Sequence, residues 1–226
     1  MDEEQLVAFW AQAGEGPGVH PEDRGAKPLI EKYFDIRCLY GSYMGPLRQA
    51  QVVLLYSHPG FSDFDLIVAA DPALRRIHNS WRTGAQPLPG PAEHETACDW
   101  WRHSLKTFEI IDDQELLAAR EKLVIYNLFA YHARTLSNAA IWRHIRSSQV
   151  ARAFANDVLF PRARREEIVV VCMMAATEWG LVRGAQRQGS LFTPMANQRG
   201  VLFKKGEHAA RRAELIETVR QKLGLQ

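Results

Sequence analysis

The sequence predicts an α/β protein of three layers, in which a short and mostly parallel central sheet lies between helices. Apolar runs at residues 51–57, 123–128 and 167–174 carry this prediction, because each is short and apolar enough for a strand buried on both faces. Helical stretches separate the runs, as expected where crossover helices join parallel strands. With 226 residues and 46% hydrophobic content, the chain can bury a full core as a single domain.

The other elements follow from periodicity and from chain breakers. Residues 3–13 predict an amphipathic helix, which ends at the Gly- and Pro-containing stretch 14–18. The rest of the chain predicts, in order, an aromatic and turn-rich region at 27–50, a solvated helix end at 75–78, a loop at 83–92, helices at 100–105 and 113–122, a helical region at 137–160 with a break near Ser147 and Ser148, a basic loop at 162–165, a short strand at 190–193 and a basic helix at 206–223.

Composition restricts the setting in which the protein acts. The net charge of +2 and the isoelectric point near 8.5 neither demand nor exclude a polyanionic partner. Cys38, Cys98 and Cys172 form no CxxC pair, which favours a reducing compartment and argues against a structural zinc site or an iron–sulfur cluster. No apolar run approaches the ~20 residues of a membrane span, and the first residues lack the pattern of a signal peptide. We therefore expect a cytoplasmic protein with no membrane partner, no metal and no cofactor.

The most informative stretch is the apolar run that begins at Val52 and stops abruptly at Pro59 and Gly60. It predicts a buried strand that feeds a backbone-rich loop. In open α/β sheets, ligands bind beyond the carboxyl ends of strands, where loops leave a crevice and helix N-termini offer unpaired amide donors. The sequence therefore predicts a candidate active site at residues 58–65.

Three segments at predicted strand ends carry motifs: residues 56–61 (Tyr-Ser-His-Pro-Gly-Phe), residues 123–128 (Leu-Val-Ile-Tyr-Asn-Leu) and residues 191–200 (Leu-Phe-Thr-Pro-Met-Ala-Asn-Gln-Arg-Gly). Together they resemble the motifs of the uracil-DNA glycosylase superfamily. The first is similar to a family motif that takes forms such as Gly-Ile-Asn-Pro-Gly, with a different residue before the Pro-Gly pair. Residues 123–128 resemble the family strand that runs into a uracil-reading Asn, here Asn127. Residues 191–200 are similar to His-Pro-Ser-Pro-Leu-Ser-x-x-Arg-Gly, and the His of that motif falls on Leu191.

A closer likeness is to uncharacterised glycosylase-like proteins that have a Tyr-x-Gly stretch, an Asn-Pro-Gly-Phe-Ser motif and a Tyr-His-Ser segment. Residues 43–45 (Tyr-Met-Gly) and 131–133 (Tyr-His-Ala) are similar to the first and last of these. The resemblance covers about residues 40–203. It implies a uracil-DNA glycosylase-like fold and hydrolysis of the N-glycosidic bond of a base flipped out of single- or double-stranded DNA.

The resemblance also implies roles for individual residues. His58 stands where the family positions water, although Asp63 or Asp65 could do so instead, and His132 could replace the donor lost at Leu191. For the base, it implies a binding site of Pro59, Gly60, Phe61, Phe64 and Asn127, in which Phe61 or Phe64 stacks the ring and Asn127 bonds its edge. For DNA, it implies Pro194, Met195 as an apolar wedge, and Arg199, Lys204 and Lys205 on phosphates.

Other interpretations remain open. The altered catalytic positions are compatible with a protein that binds nucleic acid or a nucleotide without cleaving it. A metal-dependent hydrolase that uses His58, Asp63, Asp65 and His132 is a second alternative. Phe61, Phe64 and Met195 also suit an apolar core, and Asn127 suits the capping of backbone groups at a strand end.

Overall fold

A computed structural model describes residues 1–196, 202 and 208–225, without the side chains of residues 93, 94 and 96. The helices described are α1 (Glu3–Ala11), α2 (Lys27–Tyr33), α3 (Asp63–Ala70), α4 (Pro72–Ser80), α5 (Pro91–Leu105), α6 (Asp113–Arg120), α7 (Arg146–Phe154), α8 (Phe160–Arg164), α9 (Ala176–Trp179) and α10 (His208–Leu223). Short 3₁₀ turns span Pro21–Ala26, Leu47–Gln49, Trp81–Thr83, Lys106–Phe108 and Ala139–His144, and a π-helical turn spans Ala155–Leu159.

Five strands form one mixed sheet in the order β1-β3-β2-β4-β5. The strands are β1 (Tyr43–Met44), β2 (Val52–Tyr56), β3 (Leu123–Asn127), β4 (Val169–Cys172) and β5 (Leu191–Phe192). All neighbouring pairs are parallel except β1 with β3. The apolar runs predicted as strands are confirmed, and their continuous apolar character follows from burial on both faces.

Alternate residues of each strand enter two apolar clusters on opposite faces of the sheet. On one face Val53 and Leu55 pack with residues of α1, α2, α7, α8 and α9. On the other face Val52 and Leu54 pack with residues of α5, α6 and α10. The architecture is therefore α/β with helices on both faces of a mixed sheet, compatible with the predicted three layers.

Several predicted boundaries are wrong, and each has a local cause. Helix α5 begins at Pro91, inside the predicted loop 83–92, because proline is well tolerated in the first turn of a helix. Residues 162–164, expected in a loop, are helical and end α8. The π-helical turn ends at Leu159, two residues before Pro161, which has no N–H to donate within the helix. Region 27–50 also contains α2 and the antiparallel strand β1.

Candidate functional site

A cavity of about 180 Å³ lies at the carboxyl ends of β2 and β3. Tyr56 and Asn127 are register partners at the ends of these strands, and the two following loops then run side by side. The amides of residues 128, 129 and 133 donate to the carbonyls of residues 56, 57 and 59, at 3.1, 2.8 and 3.3 Å. This pairing places the Pro59-Gly60 turn opposite the loop that carries His132, with the cavity bordered by both.

Asn127 borders this cavity and has one buried polar atom without a partner. The residue is 6% exposed, and its side-chain Nδ2 donates to the Gly41 carbonyl at 2.6 Å. A carbonyl oxygen can only accept, so the amide nitrogen must face Gly41 and Oδ1 must face the other way. Oδ1 is buried and has no hydrogen-bond partner in the structure. Because a buried acceptor without a partner costs free energy, this oxygen points to a ligand that donates an N–H or O–H group.

His132 lies in the same cavity and is equally buried, at 6% exposed. Its Nδ1 is 2.8 Å from the Gly60 carbonyl and 3.5 Å from Oδ2 of Asp65, whereas its Nε2 has no partner. Because both neighbours of Nδ1 are acceptors, Nδ1 carries a proton, and a neutral ring then presents the lone pair of Nε2. Position 41 must be glycine for this packing, since a Cβ there would lie 2.8 Å from Pro59 Cγ and 3.4 Å from His132 Nε2.

Asp65 is held in place by the start of helix α3. Its Oδ2 accepts from the backbone N of Ser62 at 2.7 Å and from the Ser62 hydroxyl at 3.1 Å, which forms a capping box. Burial raises the pKa of Asp65, but the hydrogen bonds from His132 and from Ser62 outweigh it, so that the pKa lies below its usual range. An ionised carboxylate therefore stands beside Nδ1 of His132.

The walls of the cavity are mainly aromatic and apolar. Tyr43, Trp81 and Ile125 are buried in them, and Phe61 and Trp100 stand at the border with solvent. Hydroxyl and imidazole groups in these walls already have partners: Tyr43 donates to the Arg82 carbonyl, and His78 Nε2 is 2.9 Å from the Tyr40 carbonyl. An apolar pocket with a few convergent polar atoms is the usual form of a small-molecule site.

The cavity thus brings together Pro59, Gly60, Phe61, Asn127 and His132 from the predicted site, whereas three predicted residues lie elsewhere. His58 points its Nδ1 to the Pro59 carbonyl at 2.7 Å and its ring edge to Phe34, and burial lowers its pKa. Asp63 is exposed and pairs with Arg134 at 3.1 Å. Phe64 packs against a small apolar cluster of Leu39, Val68 and Ala69.

The predicted DNA-binding residues fall into two groups. Pro194 and Met195 border a second cavity of about 300 Å³, which also includes Phe192 and Arg211. Met195 packs against Gly184 there, since a Cβ at Gly184 would lie 3.0 Å from the Met195 sulfur. Arg199, Lys204 and Lys205 lie outside the described residues.

The four residues named for a metal-dependent hydrolase do not come together in the structure. Within residues 1–196, 202 and 208–225, no three or more His, Cys, Asp or Glu side chains come close enough to hold a metal ion. His132 and Asp65 are together, but His58 turns to a backbone carbonyl and Asp63 to Arg134.

Several residues of the cavity lie outside the sequence motifs that predict the site. His78 was expected at a solvated helix end, yet it is 8% exposed and packs its ring edge on Trp81. Helix α4 is strongly amphipathic, and this periodicity could have placed His78 on its buried face. Trp81 and Trp100 are far in sequence from the motifs, and no local signal connects them with residues 58–65 or 127–132.

No family model, curated protein or solved structure matches this chain. The described helices include none that is both long enough and apolar enough to cross a membrane.

Proposed function

We propose that this protein is a DNA-base glycosylase of the uracil type, which hydrolyses the N-glycosidic bond of a flipped-out base. The observation that carries the proposal is that Asn127 and His132 border one cavity and that each has a buried polar atom, Oδ1 and Nε2 respectively, without a hydrogen-bond partner. Asn127 Oδ1 can accept a hydrogen bond from a ring N–H of the base, and His132 Nε2 can exchange a proton with water.

The size of the cavity supports a single-ring base. Its volume of about 180 Å³ is close to the ~150 Å³ of an engineered apolar cavity that takes up benzene. A pyrimidine ring is similar in size to benzene, whereas a purine has a second fused ring. Tyr43 and Trp81, which are buried in its walls, supply aromatic surfaces against which a flipped-out base can pack. Asn127 Oδ1 would accept from the N3–H of uracil or thymine.

In the proposed reaction, water attacks C1′ of the sugar while the bond from C1′ to the base nitrogen breaks. The base leaves with the bonding electron pair as an anion, and it later takes up a proton from the solvent. Nε2 of His132 accepts the proton that the attacking water gives up, and the ring becomes an imidazolium. The carboxylate of Asp65 stabilises that cation, because its oxygen lies 3.5 Å from Nδ1. His132 and Asp65 thus take the place that the sequence resemblance gave to His58.

Two substitutions test this proposal on labelled single- and double-stranded oligonucleotides that carry uracil, hypoxanthine or a mismatch. Alkali cleavage reports the abasic product. We expect product from the unaltered protein with uracil, and at least 100-fold less from Asn127→Ala and from His132→Ala, since each group acts on the reacting base or water. Asn156→Ala and His144→Ala are matched controls at exposed positions. The absence of abasic product on every substrate would contradict the proposal.

A specific observation favours a second candidate, a protein that binds a base without cleaving it. The positions that resemble the catalytic sites of the family carry no reactive group in the cavity: His58 faces Phe34, and Leu191 is a core residue at 3% exposure. This candidate uses Asn127 and the aromatic walls but not the chemistry of His132. It predicts that uracil-containing strands bind, that Asn127→Ala weakens binding, and that no product forms.

A further inference from the structure

Trp100 is unusual among the tryptophans of the chain. It is 40% exposed, whereas Trp10, Trp81, Trp101 and Trp179 are at most 4% exposed and Trp142 is partly buried. Large apolar side chains that are exposed in the described residues are Ile67, Trp100, Ile111, Leu117 and Val182, and of these Trp100 alone borders the cavity at the ends of β2 and β3. An exposed aromatic side chain beside a binding cavity indicates a ligand surface.

A second partly exposed aromatic ring also borders the cavity. Trp100 belongs to α5, which packs on one face, and its ring edge contacts Tyr56 at 5.2 Å between centroids. Phe61 belongs to the loop after β2 and also borders a groove beside Phe34, which packs on the opposite face. The cavity is therefore bordered by two partly exposed aromatic rings, one from helix α5 and one from the loop after β2.

A cation stands behind the second ring. The guanidinium carbon of Arg134 is 4.6 Å from the centroid of Phe61. Its side chain is 71% exposed, and its ion partner Asp63 is 86% exposed. An exposed ion pair of this kind contributes at most about 1 kcal/mol, so that a phosphate can displace the carboxylate at little cost. Aromatic rings next to a cation are the combination by which proteins hold unpaired nucleic acid strands.

From this arrangement we infer that Trp100 and Phe61 stack the nucleotides that flank the base in the cavity, so that the substrate is a single-stranded nucleic acid. Neighbouring bases in a duplex remain stacked on each other and would have to unstack before they could reach these rings. The inference rests on the proposed function for the identity of the base in the cavity, but the stacking surface can be measured without any reaction.

The test is binding of a fluorescein-labelled DNA strand that carries one 2′-fluoro-2′-deoxyuridine, measured by fluorescence anisotropy. The fluorine disfavours the positively charged sugar of the reaction, so that the strand is bound without being cut. The same strand is measured alone and in a duplex. Trp100→Leu keeps an apolar contact with Tyr56 but has no ring face, Trp100→Phe keeps a ring, and Ile111→Ala changes an exposed apolar residue outside the cavity.

We expect the unaltered protein to bind the single strand more tightly than the duplex. Loss of one stacked base by Trp100→Leu should raise Kd roughly 5- to 150-fold. Trp100→Phe should restore most of this binding, and Ile111→Ala should leave Kd unchanged. Circular dichroism melts of all variants report whether the fold is kept. Three results would each overturn the inference: Trp100→Leu binds the strand as tightly as Trp100→Phe does, the duplex binds as tightly as the single strand, or the single strand does not bind.

These outcomes are separate from those of the proposed function. Strand binding that depends on the Trp100 ring, without abasic product from a cleavable strand, would support the stacking surface and refute the glycosylase. Abasic product that forms equally well on duplex and single strand, without dependence on Trp100, would support the glycosylase and overturn the inference.

Discussion

Replacing Asp65 by Asn tests whether a carboxylate supports His132 during the reaction. Asparagine has nearly the same shape, and its Oδ1 can still accept from the backbone N of Ser62, which keeps the cap of α3. The substitution therefore removes the charge next to Nδ1 of His132 and changes little else. Because surrounding donors hold the pKa of Asp65 below its usual range, this charge is present at neutral pH.

The size of the effect follows from the distance of 3.5 Å between Oδ2 of Asp65 and Nδ1 of His132. Two unit charges at this separation interact by about 4.7 kcal/mol at an effective dielectric constant of about 20. The Asp65 side chain is 18% exposed, and the asparagine dipole replaces part of the interaction. We therefore expect a loss of about 3 kcal/mol in transition-state stabilisation, or roughly 100-fold in rate.

The assay is single-turnover cleavage of a uracil-containing strand with the protein in excess, which isolates the chemical step. Asp113→Asn is the matched control, since Asp113 also lies in the first turn of a helix and forms an exposed ion pair, with Arg102. This control should keep its rate. If Asp65→Asn cleaves within about threefold of the unaltered protein while His132→Ala is inactive, the carboxylate has no part in the reaction.

Two further predictions concern stability. Tyr131→Phe should lower the free energy of unfolding by about 2 to 4 kcal/mol in urea titrations. The reason is that the Tyr131 hydroxyl donates to buried Asp23 at 2.6 Å and accepts from the backbone N of His20 at 3.1 Å. Tyr33→Phe, at a less buried position, should lower it much less, and equal losses in the two variants would contradict this prediction. Burial lowers the pKa of His58 in the folded protein, although the Pro59 carbonyl opposes this effect. In the unfolded chain His58 has its ordinary pKa near 6.5, so the unfolded chain takes up the proton first as the pH falls. The free energy of unfolding therefore decreases as the pH drops through about 6.5. His58→Gln should lose less stability than the unaltered protein between pH 7 and pH 5, and parallel losses would show that His58 does not contribute.

The sequence predicted the central strands because their signal is local. A run such as residues 123–128 is apolar at every position, and only a strand buried on both faces needs this pattern over so short a length. Strand β1 has two residues, Tyr43 and Met44, and it exists only because β3 offers an open edge to pair with. Nothing in residues 27–50 taken alone carries that information, so the mixed character of the sheet could not be predicted.

The candidate site divides in the same way. Pro59, Gly60 and Asn127 were predictable because strand ends are local features and parallel strands bring their carboxyl ends to one edge. The choice between His58 and His132 could not be predicted, because it depends on the orientation of each imidazole ring. His58 is next to the Pro-Gly turn in sequence, but its Nδ1 is 2.7 Å from the Pro59 carbonyl and the residue does not border the cavity. The loop after β3 instead carries His132 back to Gly60.

Asp65 explains why the site consists of residues distant in sequence. The same carboxylate oxygen caps the first turn of α3 and lies beside His132, so that the helix start and the histidine are fixed together. At this position of a capping box, the helix needs only an acceptor oxygen, which a neutral amide side chain also supplies. At this position the cap also sets the charge beside Nδ1, and a substitution that preserves the helix can still change the chemistry of the cavity. Stability and activity should therefore respond differently to changes at Asp65, whereas at Asp112, which caps α6 away from the cavity, a substitution should affect stability alone.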